Sequence, residues 1–272
     1  MTTVSEPAFM EVLHLFTELR VVEVEFGNFG PRQAAAALAA LKGNPELRAI
    51  TLTDCPPDLD LSPLLQLTRF ERLTISCQGG LLDISRLGEL QGLRELPLPD
   101  WITSEALRTI GRLPAVEWLE VRGLNDVTDL VSIPALPPSL RTLSLFGCAQ
   151  LRSLDGIERW PALTGLELFG FPQLLDLAPV AAMTALRRIG IGVMHVDTMD
   201  LAPLAGLAQL EEITLLGHGL FNLRGLRGKP SVTVRVPFGS QVLGADELGP
   251  GSAITESAAP PRLAPPLGRE RA

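Results

Sequence analysis

The sequence predicts an α/β solenoid: short parallel strands stacked into a concave sheet, each returning through a short helical or irregular segment on the convex side. Three observations predict it. A strand-like apolar pattern recurs nine times at nearly constant spacing, and the segments between the copies share a signature of their own. The composition fits an aliphatic core, because 46% of the 272 residues are hydrophobic while only 5% are aromatic and none is tyrosine.

The recurring pattern is L-x-x-L-x-L. It begins at Leu19, Leu47, Phe70, Leu93, Val116, Leu140, Leu163, Leu186 and Leu210, so that the first spacing is 28 residues and the rest are 23 or 24. Side chains alternate along a strand, which points the fourth and sixth positions inward and the third, fifth and seventh outward. One such strand cannot bury its inner face alone. Stacking copies at about 4.8 Å makes a parallel sheet over a continuous core. A shortened tenth copy, with Val232 and Val234 as its inward pair, is expected to end the array.

The return segments repeat D-L-[SA]-P-[LV], at Asp60–Leu64, Asp176–Val180 and Asp200–Leu204, with looser copies at Asp83–Leu87 and Asp129–Ile133. An aspartate here caps the first free N–H groups of a short helical turn, and proline is tolerated because its missing N–H would have had no partner. These carboxylates are therefore structural rather than catalytic or metal-binding. The longer first unit carries an alanine-rich helix from Pro31 to Leu41, closed by Gly43-Asn44-Pro45.

At the amino end, Phe9, Val12, Leu13, Phe16 and Leu19 follow helical spacing, so residues 1–18 are expected to form a capping helix. The solenoid itself spans 19–236. Residues 237–254 keep enough apolar anchors for a C-terminal cap. Residues 255–272, rich in proline and alanine, are expected to be disordered.

These units resemble the leucine-rich repeats. L140-RTLSLFGCAQLRSL, with Cys148 at its ninth position, is similar to the L-x-x-L-x-L-x-x-N/C pattern, and the resemblance implies a leucine-rich-repeat horseshoe. The return segments look like those of bacterial internalin-type repeats, whereas ALAALKGNPELRAITL (37–52) looks like the ribonuclease-inhibitor type. Together with the ending VRVPFGSQVLGADELGPGS, this mixture resembles the C-terminal sensor regions of bacterial NACHT-type NTPases. The match is incomplete, since the ninth positions also read Gln78, Trp101, Leu124, Phe171, Met194 and His218. No G-x-x-x-x-G-K-[ST] occurs; Gly225-Leu226-Arg227-Gly228-Lys229-Pro230 has neither its spacing nor its hydroxyl. Any such motor lies outside this sequence.

Several functions are disfavoured. A net charge of −8 argues against a nucleic-acid partner. No apolar run approaches the roughly 20 residues that a membrane helix needs, and the first residues do not read as a signal peptide. Cys55, Cys77 and Cys148, an odd and sparse set, are expected to be reduced thiols in a cytoplasmic protein. Of the three histidines, His14 falls in the expected capping helix, while His195 and His218 fall in adjacent units near Asp197. Solvated loop histidines are the preferred reading over a metal or acid–base site. No Ser-His-Asp or Cys-His arrangement follows from spacing, so neither an enzyme nor a cofactor is expected.

The outward positions carry the functional expectation. Phe146 and Phe169 share a register on adjacent strands and should stack about 4.8 Å apart. Trp118, Glu120, Arg122, Glu167 and Arg188 surround them, with Leu216 further along the seventh-position row. Aromatic residues ringed by charge are the composition of a protein-binding hot spot. The expected activity is thus non-enzymatic binding of a protein or peptide, with ligand sensing in bacterial defence or signalling as the setting the resemblance implies. The alternative is a structural or regulatory domain that packs on an NTPase motor or on a copy of itself. Pro97 and Pro99 should disturb strand pairing, because proline has no N–H to donate.

Overall fold

Each L-x-x-L-x-L segment folds as the strand that its alternation requires. A computed structural model describes residues 2–4, 19–27, 29, 31–56, 59–67, 69–76, 84–100, 102–172 and 176–257. The chain divides into two units, one of Met1–Val121 with Pro134–Ser139 and the other of Arg122–Ile133 with Leu140–Ala272.

In the first unit the strands are β1 (Thr2–Val4), β2 (Val21–Glu25), β3 (Ala49–Thr53), β4 (Arg72–Ser76), β5 (Glu95–Pro97) and β6 (Trp118–Arg122, whose last residue opens the second unit). Each pairs in parallel with the next. The second unit contains β7 (Thr142–Phe146), β8 (Gly165–Phe171), β9 (Arg188–Asp200), β10 (Glu212–Asn222), β11 (Thr233–Pro237), β12 (Gln241–Leu243) and β13 (Ala253–Ser257). Here β7 to β11 pair consecutively, β13 follows β11, and β12 pairs with the far end of β10.

The inward pairs from Val22 and Val24 to Ile213 and Leu215 are all at most 3% exposed. In the tenth copy the register sets Val234 opposite Ile213, so its inward pair is Val234 and Val236 rather than Val232 and Val234, although Val232 is buried as well. Full burial of one such side chain stabilises by about 1.5–3 kcal/mol, so the core is the main source of stability. β5 stops at Pro97 and shares only the Arg72–Glu95 register pair with β4, the local irregularity that the prolines impose.

The second position of each copy builds a rim. The N–H of Glu71 donates to the Arg48 carbonyl, Arg94 to Glu71 and Glu117 to Arg94, each at 2.8 Å. In the second unit Thr164 donates to Arg141, Arg187 to Thr164 and Glu211 to Arg187. Ion pairs follow the same rows: Arg48–Glu71 at 3.3 Å, Arg94–Glu117 at 2.6 Å and Arg187–Glu211 at 2.7 Å. These pairs are partly exposed and individually weak, so they set register more than stability.

The return segments are short 3-10 turns, including Ser62–Gln66, Ala178–Ala182 and Ala202–Leu204. Asp60, Asp176 and Asp200 each accept, through Oδ1, the N–H two residues on, at 2.8, 2.9 and 3.1 Å. Asp129 accepts from Ser132 N at 2.8 Å. The aspartates therefore cap, as their spacing predicted. Asp83 lies outside the described residues.

Helix α1 (Pro31–Ala40) occupies the long first unit and buries Ala34, Ala37 and Leu38, with Leu41 following. The sequence reading passed over a second helix, α2 (Ser104–Ile110). Its signals are local: Thr103 caps by accepting from Ala106 N, Arg108 stands in the last turn, and Leu107 and Ile110 are buried. The irregular return at 126–133 is held by Arg159, whose Nη1 donates to the carbonyls of Leu130, Val131 and Ile133 at 3.3, 3.0 and 2.9 Å. The same guanidinium lies over the Trp160 ring, 5.6 Å from its centroid.

Both ends depart from expectation. Residues 2–4 form a strand in register with Val22 to Val24, so a helix does not begin at residue 1; β-branched Thr2, Thr3 and Val4 suit the edge beside β2. The helical spacing at 9–16 lies outside the described residues. At the other end the cap is a further strand, with Ile254 opposite Val234, and it runs to Ser257, past the expected boundary at 254. Residues 258–272 lie outside the described set. Strands β9 and β10 also continue beyond their predicted ends, through register shifts on either side of His218.

The reduced-thiol expectation is corrected for Cys55, which is disulfide-bonded. An odd cysteine count leaves room for one bridge, and stacked parallel strands bring residues about one repeat apart within bonding reach. Cys77 lies outside the described residues. Cys148 is a free, buried thiol whose burial pushes its pKa up.

Candidate functional site

The outward strand positions form a side-chain row on each unit. On the first unit, register sets Arg72 beside Glu95, Glu95 beside Trp118, and Pro97 beside Glu120. Glu95 is buried and ion-paired with Arg72; burial nonetheless raises its pKa, the arginine opposing that rise. Trp118 is 7% exposed, and its Nε1 has no hydrogen-bond partner among the described residues. Glu120 is 2% exposed. Both expected site residues on this unit are thus already covered.

On the second unit, Arg122 lies over Phe146 at 5.0 Å, and the rings of Phe146 and Phe169 stand 5.2 Å apart. They are tilted by 50° rather than stacked flat, and the cause is on the next strand. A Cβ on Gly190 would lie 2.6 Å from Phe169 Cζ, and one on Gly192 would lie 2.5 Å from Cδ1. Two glycines on β9 therefore make a seat, into which the Phe169 ring leans until only 7% of the residue is exposed. Phe146, Arg122, Arg188 and Leu216 remain half-buried and open on the outward side.

Glu167 is also sealed, at 1% exposure, with Ser144 Oγ donating to its carboxylate. Thr214, in register with Gly190, is buried, and its Oγ1 has no partner among the described residues. Arg235, a residue the sequence reading did not single out, donates to Glu212 at 2.6 Å. The expected inward pair hid it: only the register, which sets Arg235 opposite Thr214, makes it the fifth position of the tenth copy.

The β9–β10 register places His218 opposite His195. Among the described residues, no group of three or more His, Cys, Asp and Glu could hold a metal ion. His14 lies outside that set. No helix among the described residues is long and apolar enough to cross a membrane.

No family model matches the chain. Solved structures do. An internalin (inlF) from Listeria monocytogenes superposes with a TM-score of 0.52 at 19% identity, over 90% of this chain and 65% of that one. A chain of the Toll–Spatzle complex from Drosophila gives 0.63 at 15% identity, over 94% of this chain and 36% of that one. The leucine-rich repeat-containing protein LegL7 from Legionella pneumophila gives 0.52 at 14% identity, over 82% of both chains. The chain thus spans about two thirds of the internalin and about a third of the Toll-complex chain. At these identities the likeness is one of fold, and the fold is that of the leucine-rich-repeat proteins.

Proposed function

We propose that this chain is a non-enzymatic binding module that holds a protein or peptide partner on the outward face of its strands. The observation that carries the reading is the cluster on the second unit, where Arg188, Phe146 and Leu216 present half-exposed cationic and apolar surface on the sheet, with Arg122 lying over the Phe146 ring. Aromatic and arginine side chains held on a rigid element are the composition of binding hot spots, since little freedom is lost on contact. The solved Toll–Spatzle complex, which shares the fold, supports the reading by analogy.

As to setting, the mixed repeat style favours ligand sensing in bacterial defence or signalling. In that reading Glu167 and Phe169 shape and stiffen the face of the second unit, while their half-exposed neighbours make the contacts.

The test is a displayed random-peptide selection on the folded chain, followed by affinity measurement on a variant carrying Phe146→Ala with Leu216→Ala. Binding should weaken by about tenfold or more while the melting curve keeps its shape. Unchanged affinity in a folded double variant removes this face as the binding surface.

A further inference from the structure

The charges on the outward face of β7 to β11 do not match those of the whole chain. The protein carries a net −8. The third, fifth and seventh positions of these five copies hold two acidic residues, Glu167 and Glu212, and two basic ones, Arg188 and Arg235, with Arg122 alongside over Phe146; Asp197 and Asp200 lie further along β9. Both glutamates are committed. Glu167 is buried with Ser144, and Glu212 accepts from Arg235.

Arg188 forms no ion pair among the described residues, although Glu212 is its register partner on β10. Its other register partner is Gly165 on β8, and Gly190 stands two residues along its own strand. Neither glycine has a side chain to cover the guanidinium. What remains is a half-exposed cation on the same outward face as Phe146, Phe169 and Leu216, four residues along β9 from the Phe169–Gly192–Leu216 row and two from Gly190, against which the Phe169 ring leans.

Resting on the binding function proposed above, we infer that this face receives an acidic peptide segment, with a carboxylate on Arg188 and an apolar side chain on the Phe146–Phe169 pair beside Leu216. A guanidinium takes a carboxylate through two parallel N–H···O bonds, and this fixes orientation as well as sign. The tilted rings supply the apolar anchor, and the uncommitted Arg188 supplies selectivity against basic segments, which it would repel.

The experiment uses the same displayed peptide library on the full chain. Recovered peptides should be enriched in Asp or Glu near a Leu, Phe or Met. A recovered peptide should bind Arg188→Glu at least roughly tenfold more weakly, Arg188→Gln should fall between, and changing the peptide's acidic residue to Lys should restore binding to Arg188→Glu. Peptides that depend on Phe146 yet are neutral or basic, or that bind Arg188→Glu unchanged, overturn the acidic-partner inference and leave the binding face standing. Recovery of no peptide by the folded chain, or peptides indifferent to both Phe146→Ala and Arg188→Glu, overturns the inference and the proposed function together.

Discussion

Replacing Gly192 by alanine should unseat the Phe169 ring. The added Cβ would stand 2.5 Å from Phe169 Cδ1 and 3.3 Å from Leu216 Cβ. Carbon atoms rest about 3.5–4.0 Å apart, so the ring must withdraw by about 1 Å or more. The space over Gly190 gives little further room, because the ring already occupies the place a Cβ there would take. The ring must instead rise from the sheet and give up part of its packing against Phe146. Overpacking of this size costs about 1–3 kcal/mol, and the entropy gained by replacing glycine offsets about 0.5–1 kcal/mol. A net loss of about 1–2 kcal/mol is expected. Urea unfolding of the wild type, Gly192→Ala, Phe169→Ala and the double variant measures it, and the cycle isolates the ring–methyl clash. In the Phe169→Ala background Gly192→Ala should be neutral or stabilising. The same cost in both backgrounds would refute the seat and the explanation of the ring tilt that depends on it.

Arg159→Ala removes three hydrogen bonds from the 130–133 return; a loss of about 2–3 kcal/mol is expected in urea unfolding, and Arg159→Lys should recover only part of it. Asp60 and Asp129 are held below the usual carboxylate range by hydrogen bonds, chiefly from Ser62 and from Ser132. Their native pKa is depressed, so the stability they contribute is present above about pH 4 and is lost as the pH falls through the native values. The unfolding midpoint should drop at acid pH, and Asp60→Ala with Asp129→Ala should flatten that drop; an unaltered acid limb would count against the caps. Glu95 runs the other way, because burial raises its native pKa. Stability should fall as the pH rises from 4.5 through the native value, a decline that Glu95→Gln should abolish.

The strand stack was legible because two periods agree. Period-two alternation marks inward pairs such as Leu143 and Leu145, and the 23-residue spacing sets those pairs side by side without reference to anything distant. The aspartate caps were legible for the same reason, since each bond spans two or three residues. What the reading passed over locally was α2, whose Thr103 cap and buried Leu107 and Ile110 follow known rules but lie outside the repeat signature. The depth of the site was not legible. Phe169 and Glu167 occupy outward positions and were expected to be open, yet the ring is covered because the facing residues on β9 are glycines, and the carboxylate because Ser144 meets it. An alternation rule tells which way a side chain leaves the strand; the residues in register on the adjacent strands decide whether it ends in solvent. The Cys55 bridge was hidden by the odd cysteine count.

The central claim is that partners bind the outward face, and methyl NMR of the chain with its tightest selected peptide tests it most directly. Leu216, half-exposed on that face, and Val131, 60% exposed on a return segment, are the two reporters. The Leu216 methyls should shift on titration while those of Val131 stay in place. Shifts at Val131 with none at Leu216 would contradict it.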